Sequence, residues 1–127
     1  MKIVNVGALP SRELIAGFSG EKLSIAASIS DPFELSNLLV HREVLPPGRR
    51  TAPAHQHSLK EEIFLVESGT PSVSLNGIVR KLMPGDAVGF KPQDGMRMVF
   101  NDSAEDAVVW TIGTNEKDDV VEFLQPL

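Results

Sequence analysis

From residue 38 onward, the sequence is a series of short apolar or alternating segments separated by turn residues. The clearest is SVSLNGIVRKL, in which Asn76 and Gly77 both tolerate the positive φ of a type I′ turn and have β-branched residues on either side. About eight such segments occupy about 75 residues, without a long amphipathic helix between them. The pattern excludes parallel α/β folds and predicts an all-β fold, a closed antiparallel barrel or sandwich of the jelly-roll kind. The other segments are NLLVHREVL, IFLVESG, MPGDAVGF, MRMVFN and EDAVVWTIG.

The two ends of the chain have weaker patterns. In residues 1–36, SRELIAGF is compatible with one helical turn and EKLSIAASIS with a strand. The tail TNEKDDVVEFLQPL begins polar and ends with an apolar set, which we expect to pack on the barrel or on a second subunit. At 127 residues, one domain is the economical interpretation.

Composition limits the partners and the metal chemistry. Twelve basic and seventeen acidic residues give a net charge of −5, without a run of Lys or Arg, so nucleic acid and anionic membranes are poor candidate partners. The chain has no cysteine, so any metal must use His, carboxylate, carbonyl or water ligands. The longest low-charge stretch, LSIAASIS, is too short to span a bilayer. We therefore expect a cytoplasmic protein that is neither exported by a standard signal nor embedded in a membrane.

Two of the three histidines, His55 and His57, lie one residue apart. In an extended strand they face the same side, about 7 Å apart along the chain, and two converging imidazoles can share one metal ion at about 2.1 Å. A carboxylate from a neighbouring strand would complete a facial set of two His and one carboxylate. Glu61 and Glu62 are both candidates, because the residues that alternate with each of them are apolar.

The spacing of these residues resembles the first conserved motif of the cupin superfamily. That motif here comprises Gly48, the HQH at positions 55–57, Glu62 and Gly69. The second cupin motif is also present in outline, as Gly85 with Asp86, then Pro92, then Asn101.

The resemblance implies a double-stranded β-helix, formed by a single cupin domain over 1–127 with a core barrel at about 38–112 and an extension at each end. It also implies that His55, His57 and Glu62 point into the barrel and are the metal ligands. Cupins of this kind commonly bind manganese, iron, zinc, nickel or copper, and many are homodimers.

The second motif departs from the cupin pattern at its third ligating histidine. The expected position holds Arg97 or, with a one-residue gap, Met98. Arg stays protonated and only donates hydrogen bonds, whereas a thioether suits copper better than hard ions. The sequence therefore leaves two alternatives: a metal held by three protein ligands, or an inward polar cluster that holds no metal.

Arg97 also has two interpretations. If it points inward, its guanidinium can clamp a carboxylate or phosphate, so the pocket, which Met98 could also line, would bind a small anion. If it points outward, it is a solvated strand residue that could pair with Glu105 or Asp106. An inward Arg97 repels a bound metal unless an anion lies between them.

Three functions from different classes follow. The first is a metal-dependent enzyme with dioxygenase-, isomerase- or decarboxylase-like chemistry on a small polar or anionic molecule. The second is a non-catalytic binding or sensing module, with Arg97 as the anchor of an anionic ligand. The third is an assembly domain that associates through its apolar tail. The fold does not choose among them.

Overall fold

The structure, a computed structural model, describes residues 1–124, which form eleven β-strands and two short 3₁₀ turns. All strand pairs are antiparallel and lie in two sheets. The strands are β1 (Arg12–Ile15), β2 (Lys22–Ser28), β3 (Leu38–Leu45), β4 (His55–His57), β5 (Glu62–Ser68), β6 (Ser72–Leu75), β7 (Ile78–Lys81), β8 (Ala87–Phe90), β9 (Arg97–Phe100), β10 (Ala107–Thr114) and β11 (Val121–Phe123). One sheet has the order β1-β2-β3-β10-β5-β8 and the other β11-β4-β9-β6-β7. The predicted all-β fold is confirmed.

The core lies between the two sheets, because alternate residues of each strand face inward. In β5, Phe64 and Val66 are buried, whereas Ile63 and Leu65 of the same strand are exposed. In β9, Val99 is buried on the same face as Arg97. Nine apolar side chains form one cluster: Leu45, Phe64, Val66, Val73, Leu82, Phe90, Val99, Ala107 and Val109.

The turn chemistry agrees with the sequence. Asn76 and Gly77 both have positive φ (51° and 84°) and join β6 to β7. Asn101, from the second motif, is buried, and its amide nitrogen donates to the carbonyls of Leu45 and Glu105 at 2.7 Å each. This side chain therefore ties the end of β3 to the β9–β10 connection.

The N-terminal segment differs from the sequence expectation, because SRELIAGF contains strand β1 instead of a helical turn. β1 pairs with β2 and forms an edge of the six-stranded sheet. Two ion pairs tie this hairpin to the loop after β3: Arg49 contacts Glu13 at 2.6 Å, and Arg50 contacts Glu21 at 2.7 Å. Backbone pairing with β2 across a short turn overrides the helical preference of the segment.

The C-terminal tail supplies a strand that the sequence pattern did not indicate. β11 pairs with β4, so Val121 lies opposite His57 and Phe123 opposite His55. The ring of Phe123 packs against Phe18 of the N-terminal hairpin at 5.8 Å between centroids. The tail backbone thus pairs with the barrel as far as Leu124, and the Phe123 side chain packs on it. The side chains of Val120, Val121 and Leu124 remain exposed, and residues 125–127 lie outside the described part. Among the described residues, no helix is long and apolar enough to cross a membrane.

Candidate metal and ligand site

His55, His57 and Glu62 converge inside the barrel. Each is buried, and each offers a ligand atom within 4.8 Å of the others. The two histidines come from β4, where residues i and i+2 share a face, and Glu62 opens β5 in the other sheet. Glu61, the residue before this strand, is exposed. The alternation of β5 thus brings Glu62, the carboxylate that the cupin resemblance implied, to the histidine pair.

Hydrogen bonds fix the tautomer of both imidazoles. His55 Nδ1 lies 2.7 Å from the carbonyl oxygen of Pro53, and His57 Nδ1 lies 2.6 Å from Oδ2 of Asp119. Both partners only accept, so each Nδ1 carries the proton and each Nε2 keeps its lone pair. Carbonyl and carboxylate partners of this kind orient histidines that ligate metals.

Asp119 is a site residue that the sequence analysis missed. Besides His57, it accepts hydrogen bonds from the backbone amides of Leu59 and Lys60, at 2.8 and 3.0 Å. Burial raises the pKa of Asp119, but the hydrogen bonds from His57 and the two amides outweigh it and lower the pKa to about 2. The second Asp of the polar NEKDD stretch carried no signal of this role, because its partners are about 60 residues away in the chain.

Arg97 points into the barrel, not outward toward Glu105 or Asp106. It is fully buried, and its Nη2 donates to Oε1 of Glu62 at 2.9 Å. Its backbone lies opposite His55 between β9 and β4. The guanidinium therefore occupies the side of the site where the cupin pattern has its third histidine.

The surroundings of Arg97 leave it incompletely paired. Its Cζ lies 4.9 Å from the centroid of the Phe90 ring, within cation–π range. Its Nε and Nη1 are buried without a hydrogen-bond partner among the described residues. Lys60 adds a second positive charge, with Nζ 3.8 Å from Oε2 of Glu62. One carboxylate thus faces two cations.

The donor set fits a divalent transition metal, since two neutral imidazoles and one carboxylate form the facial set of non-haem metal sites. Burial lowers the pKa of His55, partly offset by its hydrogen bond to Pro53, so this imidazole is neutral at pH 7. Arg97 opposes the metal, because it shares Glu62 and repels a second positive charge. An anion between the guanidinium and the metal would remove this repulsion.

A cavity of about 490 Å³ extends from Glu62 along the inner face of the six-stranded sheet. His41 and Glu43, two residues apart on β3, line it together with Glu62. Spacing alone did not place His41 near the site, and Glu43 drew no attention because a single Glu in a strand is usually solvated.

Glu43 is a buried carboxyl group that has hydroxyl partners and no cation within ion-pair distance in the described chain. The hydroxyl groups of Ser24 and Thr111 donate to its two oxygens. Burial raises the pKa of Glu43, and these two hydrogen bonds offset the effect only in part. The cavity wall thus contains an acid group whose protonated form is favoured more than in water.

Met98 lies on the other face of β9 from Arg97, as expected for adjacent residues in a strand. Its sulfur accepts a hydrogen bond from Nη1 of Arg50 at 3.1 Å, and it lines a separate hollow with Phe18 and Phe123. A ligand-contacting role for Met98 stays a prediction, and it concerns a hollow other than the cavity at Glu62.

Comparison with known proteins places this architecture in a family. A family model of the cupin domain matches residues 41–113, whereas no curated protein matches the chain. A protein of Acidithiobacillus ferrooxidans, named as a candidate sugar phosphate isomerase, is 28% identical over 79% of this chain and 64% of its own, with a TM-score of 0.76. This chain therefore spans less than two thirds of that protein.

Two further solved structures are similar in fold. A sugar phosphate isomerase of the cupin superfamily from Silicibacter pomeroyi is 20% identical over 98% of this chain and 83% of its own, with a TM-score of 0.84. The polyketide cyclase RemF of Streptomyces resistomycificus is 18% identical over 100% and 87%, with a TM-score of 0.80. Since the family model covers more than half of the sequence and the fold agrees, the chain belongs to the cupin domain family.

Proposed function

We propose that this cupin binds a divalent transition metal through His55, His57 and Glu62 and acts on a small anionic molecule bound beside it. The observation that carries the proposal is the convergence of three buried donors whose imidazoles both have Nδ1 engaged and Nε2 free. Iron, manganese, nickel, copper and zinc all accept this donor set.

The residues around the donors support an anionic substrate. A metal held there would supply a Lewis acid that polarises a substrate oxygen. Arg97 and Lys60 already exceed the charge of Glu62, so an anion at the site gains from both cations. Glu62 and the histidines would fix the position of the metal, and the barrel wall would exclude water from the substrate.

Isomerase-type chemistry is the activity we favour. The 28% identical protein is named as a candidate sugar phosphate isomerase, and such a substrate is a small anion with several hydroxyl groups. Cytoplasmic location, which the composition indicates, belongs to the same proposal.

Metal analysis tests the proposal. Untagged protein purified without a metal column at about pH 7.5, where ligand histidines are neutral, is expected to contain near-stoichiometric metal by plasma mass spectrometry. His57→Ala should lose the metal, whereas His41→Ala, which removes a histidine outside the donor set, should keep it. Wild-type protein that is metal-free and takes up no added metal would contradict the proposal.

A second candidate function is anion binding without a metal, favoured by the unpartnered Nε and Nη1 of Arg97. In that case Arg97 anchors the ligand and the histidines line the pocket. Metal-free protein would then bind inorganic phosphate in calorimetry. Arg97→Lys, which keeps the charge but loses the planar fork, would weaken that binding, and unaltered phosphate affinity would exclude Arg97 as the anchor.

A further inference from the structure

The cavity at Glu62 has a lining of mixed polarity. Its volume of about 490 Å³ is within the range of small-molecule pockets. The wall comes from β1, β2, β3, β5 and β10 and from the segments beside them. Its charged side chains are Arg12, Asp31, Glu43, Lys60 and Glu62. A lining with both signs of charge does not suit an apolar ligand.

Glu43 is a buried acid group of this wall that the proposed metal site does not use. A buried carboxyl without a cation partner is costly to the fold, and here Ser24 and Thr111 satisfy only one lone pair on each oxygen. Thr111 and His41 also line the cavity beside it. These groups form a surface that exchanges hydrogen bonds with hydroxyl groups of a ligand.

The positively charged side chains of the lining favour an anionic group on the ligand, in addition to its hydroxyl groups. Lys60 and Glu62 both line the cavity, with Nζ of Lys60 3.8 Å from Oε2 of Glu62. Arg12 has no carboxylate within ion-pair distance in residues 1–124. A ligand with one anionic group is attracted to these two cations, whereas one with several is also repelled by Asp31 and Glu62.

We propose that the cavity is the ligand pocket of this cupin and binds a small polyol with one anionic end group, a carboxylate or a phosphate. Glu43 hydrogen-bonds its hydroxyl groups, and Lys60 and Arg12 pair with its anionic end. The inference rests on the proposed function, because Glu62 is both a metal donor and part of the cavity wall. It adds the restriction to a single anionic end group, and it adds Glu43, Lys60 and Arg12 as substrate-binding residues.

Calorimetry with four probes tests the substrate class on metal-loaded protein. Gluconate and ribose 5-phosphate each combine several hydroxyl groups with one anionic end, and the tighter of the two identifies that end. Sorbitol lacks the anion, and fructose 1,6-bisphosphate has two. Both are expected to bind at least about tenfold more weakly than the better probe with one anionic end, because sorbitol loses a charged contact and fructose 1,6-bisphosphate adds a repulsion. Equal affinity of either control, or no binding of any probe, overturns the proposal.

Two variants test the residues. Glu43→Gln and Lys60→Gln should each weaken the better probe by about tenfold, while Lys117→Gln, which removes one exposed positive charge outside the cavity, should not. If Glu43→Gln fails to fold, the probe affinities of Lys60→Gln and Arg12→Gln still test whether the ligand binds in this cavity. Unchanged affinity in the folded variants contradicts the assignment.

Metal analysis separates this inference from the proposed function. If metal-replete protein binds none of the probes, the result supports the metal site and contradicts this ligand pocket. If metal-free protein binds gluconate or ribose 5-phosphate, and the Glu43 and Lys60 variants weaken that binding, the result supports the pocket and contradicts the metal site.

Discussion

Arg97 and a metal at the proposed site would compete for the same carboxylate, that of Glu62. The buried pair with Glu62 holds the guanidinium beside His55 and His57, and removal of one member of such a pair costs about 3–5 kcal/mol. The metal affinity of this site therefore depends on the residue at position 97, where cupins usually carry a third ligating histidine.

Arg97→His is expected to raise metal affinity by more than about tenfold, or about 1.4 kcal/mol. The change removes the competing cation and adds an imidazole in its place. Chelator competition on wild-type and variant protein measures the difference. Arg42→His, on a residue whose partner Glu67 lies outside the site, is the control, and an Arg97→His affinity no higher than that of the wild type would contradict the expectation.

Asp119→Asn should lower metal affinity by about 10- to 100-fold, the usual cost of losing a partner that orients a ligand histidine. The amide can keep one oxygen acceptor for Leu59 and Lys60 but cannot also accept the Nδ1 proton of His57. Metal titration measures the loss. Glu122→Gln, an exposed carboxylate on β11 that pairs with Gln56, should leave the affinity unchanged, and equal affinity in both variants would exclude this role.

Glu43 gives the protein a pH-dependent stability. Its pKa in the fold lies above the ordinary 4.5, so its contribution to stability is complete below that pH and is lost as the pH rises through the raised pKa. Glu43→Gln cannot titrate. We expect its free energy of unfolding, relative to wild type, to increase as the pH rises above 4.5. Urea denaturation tests this, with exposed Glu61→Gln as control; a pH-independent difference would refute it.

At the scale of elements, the site depends on how the ends of the chain pack on the barrel. β11 pairs with β4 and brings Asp119 to His57, while the N-terminal hairpin forms part of the cavity wall. The glycine that ends the first motif, Gly69, allows a close approach between two backbone segments. Gly69 follows β5 with φ of 79°, and a Cβ there would lie 2.6 Å from the backbone oxygen of Asp106.

Gly69→Ala should therefore destabilise the protein more than Gly85→Ala. Both positions have positive φ, which costs a non-glycine residue about 1–2 kcal/mol. A Cβ at Gly85 meets no atom within 4 Å, so this variant carries only the backbone cost. Gly69→Ala adds the clash with Asp106 and Ala107. Thermal or urea unfolding compares the two, and equal losses would show that the strand ends move apart at little cost.

At the scale of the whole molecule, apolar residues remain on the outer face of the six-stranded sheet. Ile63 and Leu65 alternate with buried Phe64 and Val66 and are 47% and 37% exposed. Exposed apolar side chains on a sheet face can form a contact between subunits, and we propose this face as the contact of the homodimer that the cupin resemblance implies.

We expect sedimentation equilibrium to give twice the mass of one chain. Ile63→Lys should shift the protein to monomer, because a charge on this face would be buried in the dimer. Ile78→Lys, at an exposed residue of β7 in the other sheet, should remain dimeric. A monomeric wild type would exclude the dimer.

Local chemistry determined much of this protein from its sequence. Strand length, turn residues and the i, i+2 spacing of His55 and His57 are properties of short segments, so the barrel strands from 38 to 114 and the histidine pair were predictable. Choosing Glu62 over Glu61 needed the cupin resemblance, because both faces of β5 are apolar and only the partner sheet decides which one is buried.

Only the tertiary structure decided the rest. It turned Arg97 inward onto Glu62, 35 residues away, and joined Asp119 to His57 across 62 residues. It also gave Glu43 two hydroxyl partners from different strands. None of these contacts has a local signature, because a polar side chain in a strand or tail has the same sequence pattern whether it meets water or a buried partner. Burial between two sheets is what turns such residues into a site.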